Sequence, residues 1–202
     1  MIYLIGETNF ILDMGFEQDK NIKYLIELAA GLKITLVIPE ISFSESQRVL
    51  VSRIDLQKKL AKKLREEVKR SIIEYHSIIE KKLKAAELLE QISQDEEQGL
   101  NHALSLLSSS DFCKITPYTP EIHTRSYLTS LDKRYDLTEK DASIYESIKH
   151  FARECEWKDK KIFLTKDNDF NKPIILKELE KLDVEIYFKS RKAKNRIIEL
   201  IG

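Results

Sequence analysis

Two short apolar runs flank an amphipathic segment near the start of the chain, and this arrangement limits the fold more than any other feature. Ile2 to Ile5 (IYLI) and Ile34 to Ile38 (ITLVI) are continuous apolar runs, the pattern of strands covered on both faces. Between them, Lys20 to Ala30 carries Ile22, Leu25, Ile26 and Leu28 or Ala29 at helical spacing, and Gly31 supplies a C-cap. A shorter helix begins between Thr8 and Leu12. Strand, helix and strand in succession form a crossover unit, and a crossover joins parallel strands. The expected fold is therefore α/β, on a central parallel sheet.

The same alternation returns in the second half. Lys114 to Thr116 reads as a short strand, Lys161 to Thr165 (KIFLT) as a clear one and Val184 to Phe188 (VEIYF) as the last. Thr119-Pro120-Glu121 starts a helix to about Asp132, with a capping hydroxyl, a proline at the first helical position and an acid in the first turn. Thr138-Glu139-Lys140-Asp141 starts another to about Glu154, and Ile174 to Leu182 forms a third. The basic tail, Lys189 to Arg196, is open to loop or terminal helix.

Between the halves the sequence changes character. From Glu40 to Gln98 there is neither glycine nor proline, and Leu60, Leu64, Val68, Ile72, Ile79, Leu83 and Leu89 mark a long helical stretch. A single rod of that length would protrude far beyond the domain, so a break is expected near Ser71 to Ser77. Ser93-Gln94-Asp95-Glu96 has the pattern of a capping box and predicts a separate helix from about Gln94 to Ser108. The reading is one domain, 1–202, with a helical insertion at about 52–110.

Composition narrows the function. Lysine plus arginine and aspartate plus glutamate number 34 each, so nothing draws the whole chain to nucleic acid and any such binding needs a local patch. One patch is Arg53 to Arg70, with eight basic residues against three acids. Lys58, Lys62 and Arg65 are its candidate phosphate contacts; a solvated helix face is the plain alternative. Cys113 and Cys155 match no metal-ligand spacing and read as thiols of a reducing compartment. The first residues lack a basic n-region and a long apolar h-region, so no signal peptide is expected, and no apolar stretch approaches the roughly 18 residues of a membrane span. The expected location is cytoplasmic, with no membrane partner. The four histidines are scattered and read as structural or surface residues, and no glycine pattern for a nucleotide cofactor is present.

The acids carry the chemistry. Glu7 follows the first strand, and Asp167 and Asp169 follow the IFLT strand. Glu45 lies in the helix after the second strand, and Asp141 in the first turn of a later helix. Ligands bind beyond the carboxyl ends of parallel strands, and these segments deliver acids to that edge. Each acid alone has a local explanation: Glu7 or Asp141 as a helix cap, Glu45 as a solvated position, Asp167 and Asp169 as turn residues. Together they would repel one another unless compensated. Mg²⁺ or Mn²⁺ suits an all-oxygen set, and the absence of histidine or cysteine among these acids disfavours zinc.

In order and context these motifs resemble the PIN-domain nucleases. The matching residues are Glu7-Thr8-Asn9, Glu45, Asp141-Ala142, and Thr165-Lys166-Asp167-Asn168-Asp169-Phe170. The first acid is Glu rather than the usual Asp, as in a subgroup opening E-T-N, and the helical insertion exceeds that of the small VapC-type toxins. The resemblance implies a three-layer α/β/α fold and Mg²⁺- or Mn²⁺-dependent hydrolysis of RNA, single-stranded or structured. It makes Glu7, Asp141, Asp167 and Asp169 metal ligands, with Glu45 and Asp169 as ligands or their supports. Thr8 and Asn9 would orient a carboxylate or the scissile phosphate. Partners in such a family include an antitoxin protein and a second copy of the chain. An alternative is a PIN-like module that binds RNA or protein without catalysis, motivated by Glu7. A phosphoacceptor receiver domain is disfavoured, because no aspartate follows the third strand.

Overall fold

A computed structural model describes residues 1–70 and 76–202. Five strands, β1 (Ile2–Gly6), β2 (Thr35–Pro39), β3 (Cys113–Thr116), β4 (Lys160–Leu164) and β5 (Val184–Tyr187), form one sheet in the order β3-β2-β1-β4-β5. Every pairing is parallel, with Ile5 opposite Val37 on one side and Phe163 on the other. The chain moves outward from β1 through β2 and β3, then returns to pair β4 on the other side of β1. The carboxyl ends of β1 and β4 therefore flank a switch point, where open parallel sheets bind ligands.

Alternation along the strands gives two cores. Leu4, Leu36, Ile38, Ile162 and Leu164 pack on one side with α1 (Thr8–Gly15), α2 (Lys20–Ala30), α8 (Ser190–Ile201) and parts of α3 (Glu40–Arg70) and α4 (His76–Ser109). Ile5, Val37 and Phe163 face the other way, onto α6 (Glu139–Glu154) and α7 (Pro173–Glu180). α5 (Pro120–Leu131) packs on α6, where the Tyr118 hydroxyl lies 3.0 Å from that of Ser126 and 2.9 Å from that of Ser143. The result is α/β/α, as expected. The tail is helical, because Ala193 and Ile197 are buried in the first core.

α3 and α4 run antiparallel. Arg53 pairs with Glu96 at 2.7 Å, Arg65 with Glu90, and Ala61 and Ala86 are fully buried between them. At 1.5 Å per residue each helix is roughly 45–50 Å long. The break expected near Ser71 to Ser77 falls on residues 71–75, outside the described residues. The expected helix start at Ser93 does not occur, since α4 runs unbroken through it. The Ser93 hydroxyl lies 2.8 Å from the Leu89 carbonyl and 2.7 Å from Gln57 Oε1. Its partners lie along and across the hairpin, so it has no capping task. The last turns of α4 enter the core through Leu100, Ala103, Leu104 and Leu107. There α4 crosses α1 closely: a Cβ on Gly99 would sit 2.2 Å from the Gly15 carbonyl oxygen.

At the end of α2, Gly31 is the C-cap, but the left-handed residue is the next one, Leu32, with φ 55°. Among the described residues no helix is long and apolar enough to cross a membrane.

Candidate functional site

Glu7 ends β1 and starts α1. One carboxylate oxygen accepts the Asn9 backbone N–H at 2.9 Å, and the other accepts the Asn9 amide at 2.9 Å and the Thr165 hydroxyl at 3.3 Å. The side chain is almost fully buried. Burial pushes its pKa up and outweighs the donors that pull it down. Glu7 is thus a cap and also a tie between the ends of β1 and β4.

Asp141 lies in the first turn of α6. Its N–H donates to the Thr138 hydroxyl at 3.2 Å, and that hydroxyl donates to Asp141 Oδ2 at 2.5 Å. The cap reading therefore holds for half of the carboxylate. Oδ1 is buried and has no hydrogen-bond partner. Across from it, Asp167 caps the short 3₁₀ turn Asn168–Phe170 by accepting the Asp169 N–H at 2.8 Å. The Thr165 hydroxyl accepts the Asp167 N–H at 2.9 Å while donating to Glu7. Oxygens of Asp141, Asp167 and Asp169 lie within 4.8 Å of one another.

Glu45 joins this group through two intermediaries. One oxygen accepts the Thr8 hydroxyl, and the other pairs with Lys140 Nζ at 2.9 Å. The same ammonium lies 3.5 Å from Asp141 Oδ1. Burial works against the charged form of Lys140, but the Glu45 and Asp141 carboxylates prevail and its pKa is raised. A second lysine, Lys166, pairs at 2.6 Å with buried Asp13 of α1.

A buried carboxylate oxygen without a donor is costly by about 1–3 kcal/mol. With two further carboxylates close by, a hard divalent cation fits the donor set. Asp141, Asp167 and Asp169 are the residues that could hold it. Glu7, expected among the ligands, is not part of that group, and its oxygens are already supplied with donors. Thiol chemistry is disfavoured, since burial pushes Cys113 up to about 12.

A family model described as PIN domain matches residues 4–170. The chain belongs to the PIN-domain family. No curated protein and no solved structure matches it. The matched span holds all five acids, and PIN domains are in general nucleases.

Beside the acids of this PIN domain runs an open groove of about 850 Å³. α3 lines it with Ile41, Glu45, Arg48, Val49, Ser52 and Leu56, and Tyr118, His123, Lys140 and Ser143 form the facing wall. Glu45, Val49, Ser52 and Leu56 follow one another at three- and four-residue steps, which makes a single helix face. Lys59, Leu60 and Lys63 continue that face and are exposed, and among the described residues no ion pair involves either lysine. Lys58, Lys62 and Arg65 fall on other sides of α3: Arg65 holds Glu90 with two bonds, and Lys62 is 3.9 Å from Glu66. None of these three lines the groove. Thr8 and Asn9 orient carboxylates, those of Glu45 and Glu7.

Sequence reasoning gave Thr165 and Lys140 no site role of their own and read His123 as a structural or surface residue. Lys140 left a signal: a lysine in the first turn of a helix opposes the helix dipole, so such a placement asks for compensating acids. Thr165 left none beyond its place in the T-x-D-x-D run.

Proposed function

We propose that this PIN domain is a Mg²⁺- or Mn²⁺-dependent endoribonuclease acting on single-stranded or structured RNA. The observation that carries the reading is the buried Asp141 carboxylate, whose Oδ1 accepts no hydrogen bond, gathered with oxygens of Asp167 and Asp169 within 4.8 Å of one another at the switch point of the sheet. An ion held by Asp141, Asp167 and Asp169 would supply a water of lowered pKa and positive charge against that developing on a phosphodiester. The remaining work belongs to the chain. Thr138 fixes one oxygen of Asp141, and Thr165 holds Asp167 and Glu7 in register. Glu7 ties β1 to β4, so the acids keep their spacing. Lys140 on the facing wall and Arg48, Lys59 and Lys63 on the α3 side offer cations to a phosphate backbone. Tyr118 and His123 supply aromatic faces on the opposite wall, suited to stacking of unpaired bases.

The test is cleavage of a single-stranded RNA with Mn²⁺, with and without EDTA, by wild type and Asp141→Asn. Cleavage that survives EDTA or the substitution overturns the reading. RNA binding without Mn²⁺ binding supports the non-catalytic module instead. A toxin role predicts growth arrest on expression without a partner, relieved by Asp141→Ala.

A further inference from the structure

We infer that the site is built for one divalent ion and that the Lys140 ammonium stands in the place of a second. The inference rests on the metal-centre reading above and asks how many ions that centre takes. Its basis is where the carboxylate oxygens are already committed. Both oxygens of Glu7 accept donors from Asn9, and one also accepts Thr165. Both oxygens of Glu45 are engaged as well, one by Thr8 and one by Lys140 at 2.9 Å. Among the described carboxylates of the site, Asp141 Oδ1 is the buried oxygen that accepts no hydrogen bond, with the Lys140 ammonium at ion-pair distance, 3.5 Å, and oxygens of Asp167 and Asp169 complete the group.

A second ion held between Glu45 and Asp141 would have to displace Lys140 Nζ, which already bridges them at 2.9 and 3.5 Å. Two facts argue that the ammonium is part of the site. Lys140 occupies the first turn of a 16-residue helix, where the dipole disfavours a cation by about 0.3–1 kcal/mol, so its carboxylate partners must hold it there. Its bridging partner Glu45 is fixed from behind by Thr8, the first residue of α1, so the lysine sits against an anchored group. Lys140 also lines the groove, which leaves its charge available to a phosphate oxygen of a strand lying there. A monovalent, tethered cation of this kind neutralises charge without demanding octahedral oxygen ligands.

The experiment is Mn²⁺ binding to the full chain by calorimetry, with electron paramagnetic resonance to detect paired ions. Wild type is expected to bind one Mn²⁺ per chain with an uncoupled spectrum. Lys140→Met keeps the stem and removes the charge, and is expected to bind two, with the spectrum of a coupled pair. Lys140→Gln should follow Lys140→Met, and Lys140→Arg should remain at one. Two ions in the wild type, or one in both Lys140→Met and Lys140→Gln, overturn the inference and leave the metal centre standing. No Mn²⁺ bound by the wild type overturns the metal centre and the inference together.

Discussion

Asp141→Asn distinguishes a metal centre from a cluster that merely caps helices, because it should reverse the order of stability with and without Mn²⁺. In EDTA, Asp141 faces Asp167 and Asp169 at separations up to 4.8 Å. At water-like permittivity each such repulsion is about 1 kcal/mol. The attraction lost is that of Lys140, 3.5 Å away, also about 1 kcal/mol on the same scale. Removing the charge thus leaves a net relief of about 1 kcal/mol, and Thr138 can still donate to the asparagine oxygen. For a chain of 202 residues that raises the melting temperature by about 2–4 °C. With Mn²⁺ at a hundred times its dissociation constant the wild type gains about 2.7 kcal/mol, or roughly 5–11 °C. The variant, lacking a ligand, gains much less. Thermal melts of both proteins in EDTA and in Mn²⁺ should therefore cross over. An equal Mn²⁺ shift in the two proteins refutes the assignment of Asp141.

Three other outcomes follow from different parts of the molecule. Burial opposes the charged form of Glu178, but donors from Lys149, Tyr135 and Tyr145 prevail and bring its carboxyl to about 2. A depressed folded pKa contributes stability that is complete above the ordinary 4.5 and is lost as the pH falls toward 2. Glu178→Gln should cost about 1–3 kcal/mol at neutral pH, with the gap narrowing through that acid window; urea titrations giving a constant gap contradict the network. Lys59→Ala with Lys63→Ala should weaken binding of single-stranded RNA and lower the log–log salt slope by about 0.7 per lost contact. Arg65→Ala should leave that slope unchanged, and the reverse result would move the substrate path to the other side of α3. Leu32→Gly removes a left-handed leucine and should stabilise by about 1 kcal/mol, read as a rise of about 2–4 °C; an unchanged melting point rejects the strain.

The parallel sheet was legible because its strands are fully covered, and such strands advertise themselves as continuous apolar runs. The acids were legible because they close those runs. What the sequence hides is three-dimensional pairing. Ser93 has a capping-box neighbourhood, yet packing of α4 against α3 overrides a local start signal. The basic run of α3 looks uniform in one dimension, and only the helix turn separates Lys59 and Lys63, on the groove side, from Arg65, which holds the hairpin together. Asp141 is both a cap and one of the three clustered acids, whereas Glu7 is a cap that ties β1 to β4 beside them, so a capping role did not by itself decide the question for either. That Asp141 Oδ1 accepts no hydrogen bond has no sequence signature, since it depends on how every neighbouring segment is placed.

The antiparallel pair α3–α4 has two halves with different freedoms. Its proximal half is core: Leu50, Ile54, Leu100 and Leu107 are buried there, and Gly99 meets Gly15. Among the described residues its distal half is held by contacts between the two helices, through Ala61, Ala86 and the Arg65–Glu90 pair. Matched turns can be removed from or added to both distal arms without disturbing the sheet or the acids. The reach of the exposed face beyond Leu56 is then an adjustable length, set by the number of helical turns and inherited or engineered independently of the centre it leads to.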